Sequence, residues 1–131
     1  GLDVTLHITG IEHNELGIIG HGWVDGEEKE RLMNTCGTLL SPSKWEGLSM
    51  SVIEAMARGM PVLASQTSKG VFEKSGMVVE LTASAFTEAM QQMIDGAQWG
   101  KMSTAGPKEA KKYSLKNVVP LWGELYDEVA Q

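Results

Sequence analysis

Two glutamates, Glu46 and Glu54, stand eight positions apart in the stretch Thr38–Ser65, TLLSPSKWEGLSMSVIEAMARGMPVLAS. Eight positions are about two helical turns, so both carboxylates can face one crevice from different depths. One then lies beside a reacting carbon that gathers positive charge. The other takes a diol such as a ribose, because two carboxylate oxygens accept from both hydroxyls. Between them a helix is expected from about Leu48, and the amides of Gly47, Leu48, Ser49 and Met50 would offer a phosphate or diphosphate a positive dipole end. Gly47 lets a ligand approach the backbone closely, and Ser49 and Ser51 add hydroxyl donors. A purely structural account competes: Glu54 and Arg58 form a favourable (i, i+4) pair, and Glu46 compensates a helix dipole. Spacing alone leaves both accounts open.

The elements that must position these residues alternate along the chain. Short β-branched or apolar runs at Val4–Thr9, Ile18–Trp23, Thr38–Ser41, Pro61–Ser65 and Met77–Leu81 predict strands. Helical patterns lie between them, an order that argues for parallel strands joined by crossovers. Thr38-Leu39-Leu40 and Val62-Leu63-Ala64 lack alternation, as strands covered on both faces do. The expected fold is α/β, a Rossmann-like parallel sheet with helices on both faces. In such sheets ligands gather at the carboxyl ends of strands, which is where the Ser41–Gly47 loop lies.

Glu27–Thr35 predicts a short charged helix, and Leu48–Arg58 a second that stops at Gly59 with Pro61 beyond it. Ser84 is the expected cap of a third, with Phe86, Ala89, Met90, Met93 and Ile94 as its apolar stripe, ending near Gly96. Methionine at such spacing reads as core filler. Gly106-Pro107 reads as a break, followed by a solvated basic run, Lys108–Lys112. A last helix follows Ser114, carrying Val118, Val119, Leu121, Trp122, Leu125, Tyr126 and Val129. It is apolar enough either to wrap the back of this domain or to pack on a neighbouring one.

Length and composition set outer limits. At 131 residues and 42% apolar content, a single domain spanning 1–131 is expected, too small for two substrate sites. A net charge of −6 disfavours nucleic acid and anionic membranes as partners. The single Cys36 excludes an internal disulfide and a paired-cysteine zinc site, and reads as a small buried residue. No run is long enough to span a bilayer and no signal peptide is visible, so a cytoplasmic protein is expected. The chain opens directly into the Val4–Thr9 strand without an initiator Met, which predicts a fragment. His7, His13 and His21 read as structural or exposed, and no spacing suggests a metal. Trp45 could stack on a ligand or close the loop over the core.

The order of these segments resembles the C-terminal domain of retaining glycosyltransferases of the GT-B fold, the family 4 group. The resemblance rests on Glu46-Gly-Leu-Ser-Met-Ser-Val-Ile-Glu54, similar to the family's Glu, seven residues, Glu signature. Ser41-Pro42-Ser43 precedes it and Ala55-Met56-Ala57-Arg58-Gly59-Met60-Pro61-Val62 follows. Gly22-Trp23-Val24 with Glu28–Met33, and Tyr113-Ser114 with Leu125-Tyr126, look like the family's flanking elements. The resemblance implies that Glu46 lies at the donor sugar near the anomeric centre, as the catalytic residue, and that Glu54 binds the nucleotide ribose. Gly47, Leu48, Ser49, Met50 and Ser51 would hold the diphosphate, with no metal and no cofactor beyond the nucleotide sugar itself.

Departures accompany the likeness. The family's first strand and its Arg and Lys clamp have no counterpart here, and the Thr9–Gly22 stretch is short. Gln66-Thr67-Ser68-Lys69-Gly70 stands where a glycine-rich turn is usual, with Glu73 near the usual acid; Lys69 reads as a surface lysine. The resemblance thus implies the donor-binding lobe of a glycosyltransferase, inactive alone and needing an N-terminal acceptor lobe or separate subunit. The competing expectation is a truncated, non-catalytic α/β module that binds a nucleotide or a protein.

Overall fold

The computed structural model describes residues 3–130, so residues 1, 2 and 131 of the expected domain lie outside the described residues. Two compact units divide between Gly37 and Thr38.

In the first unit, strand β1 (Leu6–Ile8) pairs parallel with β3 (Ile18–Gly20), and β2 (Asn14–Glu15) pairs antiparallel with β3. The two-residue β2 was not foreseen, because Asn14 and Glu15 are exposed and carry no apolar alternation. Helix α1 (Gly26–Thr35) follows, with Glu27 and Glu28 in its first turn, where acids suit the dipole. His7 Nδ1 lies 2.9 Å from His21 Nε2, with the rings stacked at 5.2 Å. The other nitrogen of His21 is 3.3 Å from Glu28 Oε1. Arg31 donates to both Glu28 oxygens at 2.9 and 2.7 Å, and this guanidinium holds the Glu28 carboxyl below its ordinary range. His7 and His21 are therefore structural partners, and His13 is exposed beside Glu15. Cys36 is half-buried, not fully buried as expected, since it serves as the C-cap residue of α1 in extended conformation.

The second unit is built on three parallel strands in the order β4 (Leu39–Ser41), β5 (Val62–Ala64), β6 (Gly76–Val78). The expected α/β class is the one observed: a Rossmann-like parallel sheet flanked by helices. All three β5 side chains are fully buried, as their unbroken apolar run requires. Helix α2 (Met50–Ala57) returns the chain from β4 towards β5. It buries Val52, Ile53, Ala55 and Met56, and ends before Gly59, whose φ of +71° only glycine adopts readily. Helix α3 (Ala83–Ile94) is capped by Thr82, not by Ser84: Thr82 Oγ1 accepts from the Ala85 amide at 3.2 Å, and Ser84 sits one residue inside the helix. Phe86, Ala89 and Met93 pack with Leu63, Val79 and Met102, and Met90 is partly buried against them. Ile94, at the last helical position, is exposed.

Helix α4 (Trp99–Ala110) crosses the expected break at Gly106-Pro107. Proline lacks the amide that would bond the carbonyl of Ser103, four residues back. That carbonyl oxygen instead faces Gly59, where a Cβ would lie 3.0 Å from it. On the same contact a Cβ at Gly106 would fall 2.5 Å from the carbonyl oxygen of Met56. Helices α2 and α4 thus meet backbone to backbone, and the glycine that looked like a breaker is a packing site. Helix α5 (Leu115–Val129) does not wrap this unit: none of its described residues is buried, and Leu121, Trp122, Leu125 and Tyr126 face outward.

Candidate functional site

The loop between β4 and α2 leaves the sheet at the carboxyl end of β4. Its base is pinned, because Ser65 Oγ and Thr67 Oγ1, just past β5, both donate to the carbonyl oxygen of Ser43. The two hydroxyls are 2.9 Å apart, and Ser65 is 2% exposed. Two adjacent strand ends therefore hold the stem of the loop that carries Trp45, Glu46 and Gly47. Spacing arguments missed Ser65 and Thr67. The signal was available, as Ser-Gln-Thr follows directly on a buried parallel strand.

Glu46 is exposed on this loop, and Glu54 is half-buried on α2. Arg58 Nη1 donates to the backbone carbonyl of Glu54 at 3.1 Å, tying this arginine to the helix end. Helix α2 begins at Met50, two residues later than expected. Gly47 and Leu48 accordingly precede the helix, Ser49 is its N-cap residue, and the first-turn amides belong to Met50, Ser51 and Val52. The buried Ser49 hydroxyl does not cap; it lies 3.1 Å from Ser51 Oγ, and the first carbonyl-bonded amide of the turn is Ile53, to Ser49 at 3.2 Å. The start of α2 is thus a concentration of N–H donors with two hydroxyls beside it, the chemistry that suits an anion.

Gly47 has no internal reason to be glycine. Its φ is not in the left-handed region, and a Cβ there would meet nothing within 4 Å. The space beside this backbone is open.

Beside the loop lies a cavity of about 400 Å³, walled by Ser43–Trp45, by Ser65–Thr67 after β5, and by Glu80 and Leu81 after β6. Trp45 is 90% exposed at its rim, so it does not close the loop over the core. The chain from 70 to 75 is fastened to α4 and the following 3₁₀ turn, Lys111–Tyr113. Tyr113 Oη donates to the carbonyl of Val71 at 2.9 Å. Glu109 accepts from the amides of Glu73, Lys74 and Ser75 and from Ser75 Oγ. Partial burial pushes its carboxyl up, but the Ser75 hydroxyl and the three amides outweigh that and hold it below the ordinary glutamate range. In the basic run Lys108–Lys112, the acid inside it does the structural task. Lys69 is exposed, as expected. No group of three or more His, Cys, Asp or Glu side chains able to hold a metal is present among the described residues, and none of their helices is long and apolar enough to cross a membrane.

Residues 3–96 match the family model for glycosyl transferases group 1. The O-antigen chain mannosyltransferase B of Escherichia coli is 29% identical over 100 residues, 73% of this chain and 26% of that protein. An uncharacterized 41.2 kDa protein in the cps region of Klebsiella pneumoniae is 33% identical over 51 residues, 39% of this chain and 14% of that protein. The chain therefore spans about a quarter or less of the length of these relatives. Sucrose-phosphate synthase from Thermosynechococcus elongatus superposes with a TM-score of 0.77 at 24% identity, over 86% of this chain and 30% of that one. TarM superposes with a TM-score of 0.71 at 19% identity, over 85% and 24%. These two likenesses show a shared fold, that of GT-B glycosyltransferases.

Proposed function

We propose that this chain, which belongs to the glycosyl transferases group 1 family, is the donor-binding lobe of a retaining family 4 glycosyltransferase. The complete enzyme would move a sugar from a nucleoside diphosphate sugar to a hydroxyl acceptor, in polysaccharide or glycolipid synthesis. The observation that carries the reading is the pair Glu46 and Glu54 bracketing an uncapped helix start at the carboxyl end of a half-buried parallel strand.

In this reading the diphosphate sits against the amides of Met50, Ser51 and Val52, with Ser49 and Ser51 donating from their hydroxyls. Negative charge that grows on the departing diphosphate meets the dipole end of α2. Glu54 takes the ribose diol. Glu46 stands at the donor sugar, where a carboxylate favours positive charge developing at the anomeric carbon. Gly47 and Leu48, which precede the helix, leave the backbone open to the ligand. The acceptor would come from an N-terminal lobe or separate subunit, so the chain alone is expected to bind but not to transfer.

Calorimetric titration of the chain with UDP, GDP and ADP tests this, repeated with Glu54→Ala. Absence of binding by all three at millimolar concentration rules the reading out, and unchanged binding in the variant removes Glu54 from it. The competing reading, a non-catalytic protein-binding module, is favoured by the exposed apolar residues of α5. A module that binds only a protein predicts no nucleotide binding, and one that keeps a nucleotide site predicts weak binding.

A further inference from the structure

Three elements of the first unit meet in one chain of polar contacts. His7 lies at the centre of β1, His21 follows β3 directly, and Glu28 and Arg31 belong to the first two turns of α1. The His21 amide extends the ladder by donating to the carbonyl of Ile8 at 2.9 Å, so backbone pairing brings the two rings together. Among the described residues of this unit, Leu32 is the only buried hydrophobic side chain. With so little apolar burial, the unit depends on its polar contacts.

Two distances fix where the ring protons sit. His21 Nδ1 lies 3.3 Å from Glu28 Oε1, and Arg31, by donating to both Glu28 oxygens, holds that carboxyl below its ordinary range. An ionised carboxylate only accepts, so His21 carries its proton on Nδ1. A neutral His21 of that tautomer offers Nε2 as an acceptor, and His7 Nδ1, 2.9 Å away, is then the donor. Donation runs from His7 to His21 to Glu28.

This order limits how many protons the folded pair can take. His7 can accept one on its outer nitrogen, Nε2, and still donate from Nδ1. A further proton on His21 Nε2 sets two N–H groups head to head across the same contact. Of the charges around the pair, Glu12 lies beside Gly22, His13 and Glu15 stand 3.3 Å from each other, and Glu27, Lys29 and Glu30 share α1 with Glu28. A carboxylate softens the repulsion between two imidazolium rings, but it does not restore the lost acceptor. Two separate histidines in the unfolded chain accept two protons where the closed pair accepts one. Stability must therefore fall as pH falls through the imidazole range.

We propose that His7, His21 and Glu28 form a pH-operated clasp, closed while His21 Nε2 is bare and opened when that nitrogen takes a proton, which releases β1 from β3 and α1. The clasp stands apart from the donor-lobe reading and holds whether or not a nucleotide binds.

Long-range ¹H–¹⁵N spectra of the histidine rings, recorded on the chain at about pH 8, read the tautomers directly. Both His7 and His21 are expected to carry the proton on Nδ1. Hydrogen exchange at the Leu6 and His21 amides, which bond the carbonyls of Gly17 and Ile8, then follows opening down to about pH 5. After correction for the intrinsic exchange rate, the opening constant is expected to rise by about tenfold or more over that range. In His7→Asn, whose uncharged amide both donates and accepts, the rise should shrink to less than about twofold. A His21 ring protonated at Nε2 at the alkaline end, or an equal rise in wild type and variant, overturns the proposal. If His7→Asn does not fold, the wild-type spectra decide. Protection lost in step with protonation of His21 Nε2 upholds the clasp, and protection unchanged through that protonation overturns it.

Discussion

Ser65 Oγ donates to the carbonyl oxygen of Ser43 at 2.5 Å, across 22 positions of chain. This bond, seconded by Thr67 Oγ1 at 3.3 Å, couples the end of β5 to the loop that presents Trp45 and Glu46. Ser65→Ala leaves the Ser43 carbonyl with the weaker of its two donors. The expected cost is about 1 kcal/mol, and about 2 kcal/mol when Thr67→Val removes the second donor as well. Urea denaturation of the single and double variants measures both, and ligand affinity is expected to fall further than stability because the loop is freed.

Glu109 supplies a pH-dependent part of the stability. Its folded carboxyl titrates below the unfolded value, despite the opposing push of burial. A depressed acid contributes stability that is complete above its unfolded pKa and is lost as pH falls through the folded one. Glu109→Ala is expected to cost about 1–2 kcal/mol at neutral pH, a figure already reduced for solvent screening. The gap between wild type and Glu109→Gln should begin to narrow near about pH 4, where an unfolded glutamate is itself protonated, and close as pH falls through the lower folded value. Thermal melts from pH 3 to 7 read this directly, and a gap constant across that range would contradict the assignment.

Two glycines should respond oppositely to alanine. At Gly106 the new methyl would fall 2.5 Å from the Met56 carbonyl oxygen, so α2 and α4 must part, at a cost of about 1–3 kcal/mol. At Gly47 the methyl enters open space, and stability should hold or rise by about 0.5 kcal/mol through the unfolded chain. Nucleoside diphosphate affinity is nevertheless expected to drop in Gly47→Ala, because the methyl occupies the approach to the backbone. Melting temperature and calorimetry on the same two samples separate the effects.

The two carboxylates of the motif are expected to divide their effects. Glu54→Ala should weaken binding of a nucleoside diphosphate by about tenfold or more, the loss of a charge-assisted diol contact. Glu46→Gln should leave the nucleoside diphosphate almost untouched and change binding of the corresponding nucleotide sugar. Equal losses for both ligands in both variants would show that the residues act through the fold.

Much of the second unit is legible in its residues. The apolar runs at Leu39–Ser41 and Val62–Ala64, the helix between them and its stop at Gly59 follow from patterns that span a few positions. The start of α2 slipped by two residues because Gly47 and Leu48 are permitted in a helix, whereas Ser49 takes the extended cap conformation. Thr82 displaced Ser84 as cap for the same reason: both residue types cap, and the backbone chooses. Helix α4 was hidden because a Gly-Pro pair signals a break locally, while the close approach to Gly59 and Met56 that suits it lies some fifty residues away in the chain.

By itself the sequence determined the α/β class, from the order of its short apolar runs and helical patterns, and the candidate pair Glu46 and Glu54 with a helix start between them, placed two residues early. Only the tertiary structure decided that Ser65 and Thr67 hold Ser43, that Glu109 clamps Glu73 to Ser75, and that Trp45, Lys44 and Glu80 share one cavity. Those pairings join residues more than twenty positions apart. Residue type says what such a side chain can bond, but which partner it meets is set by how strands and helices pack, and that is a property of the whole chain.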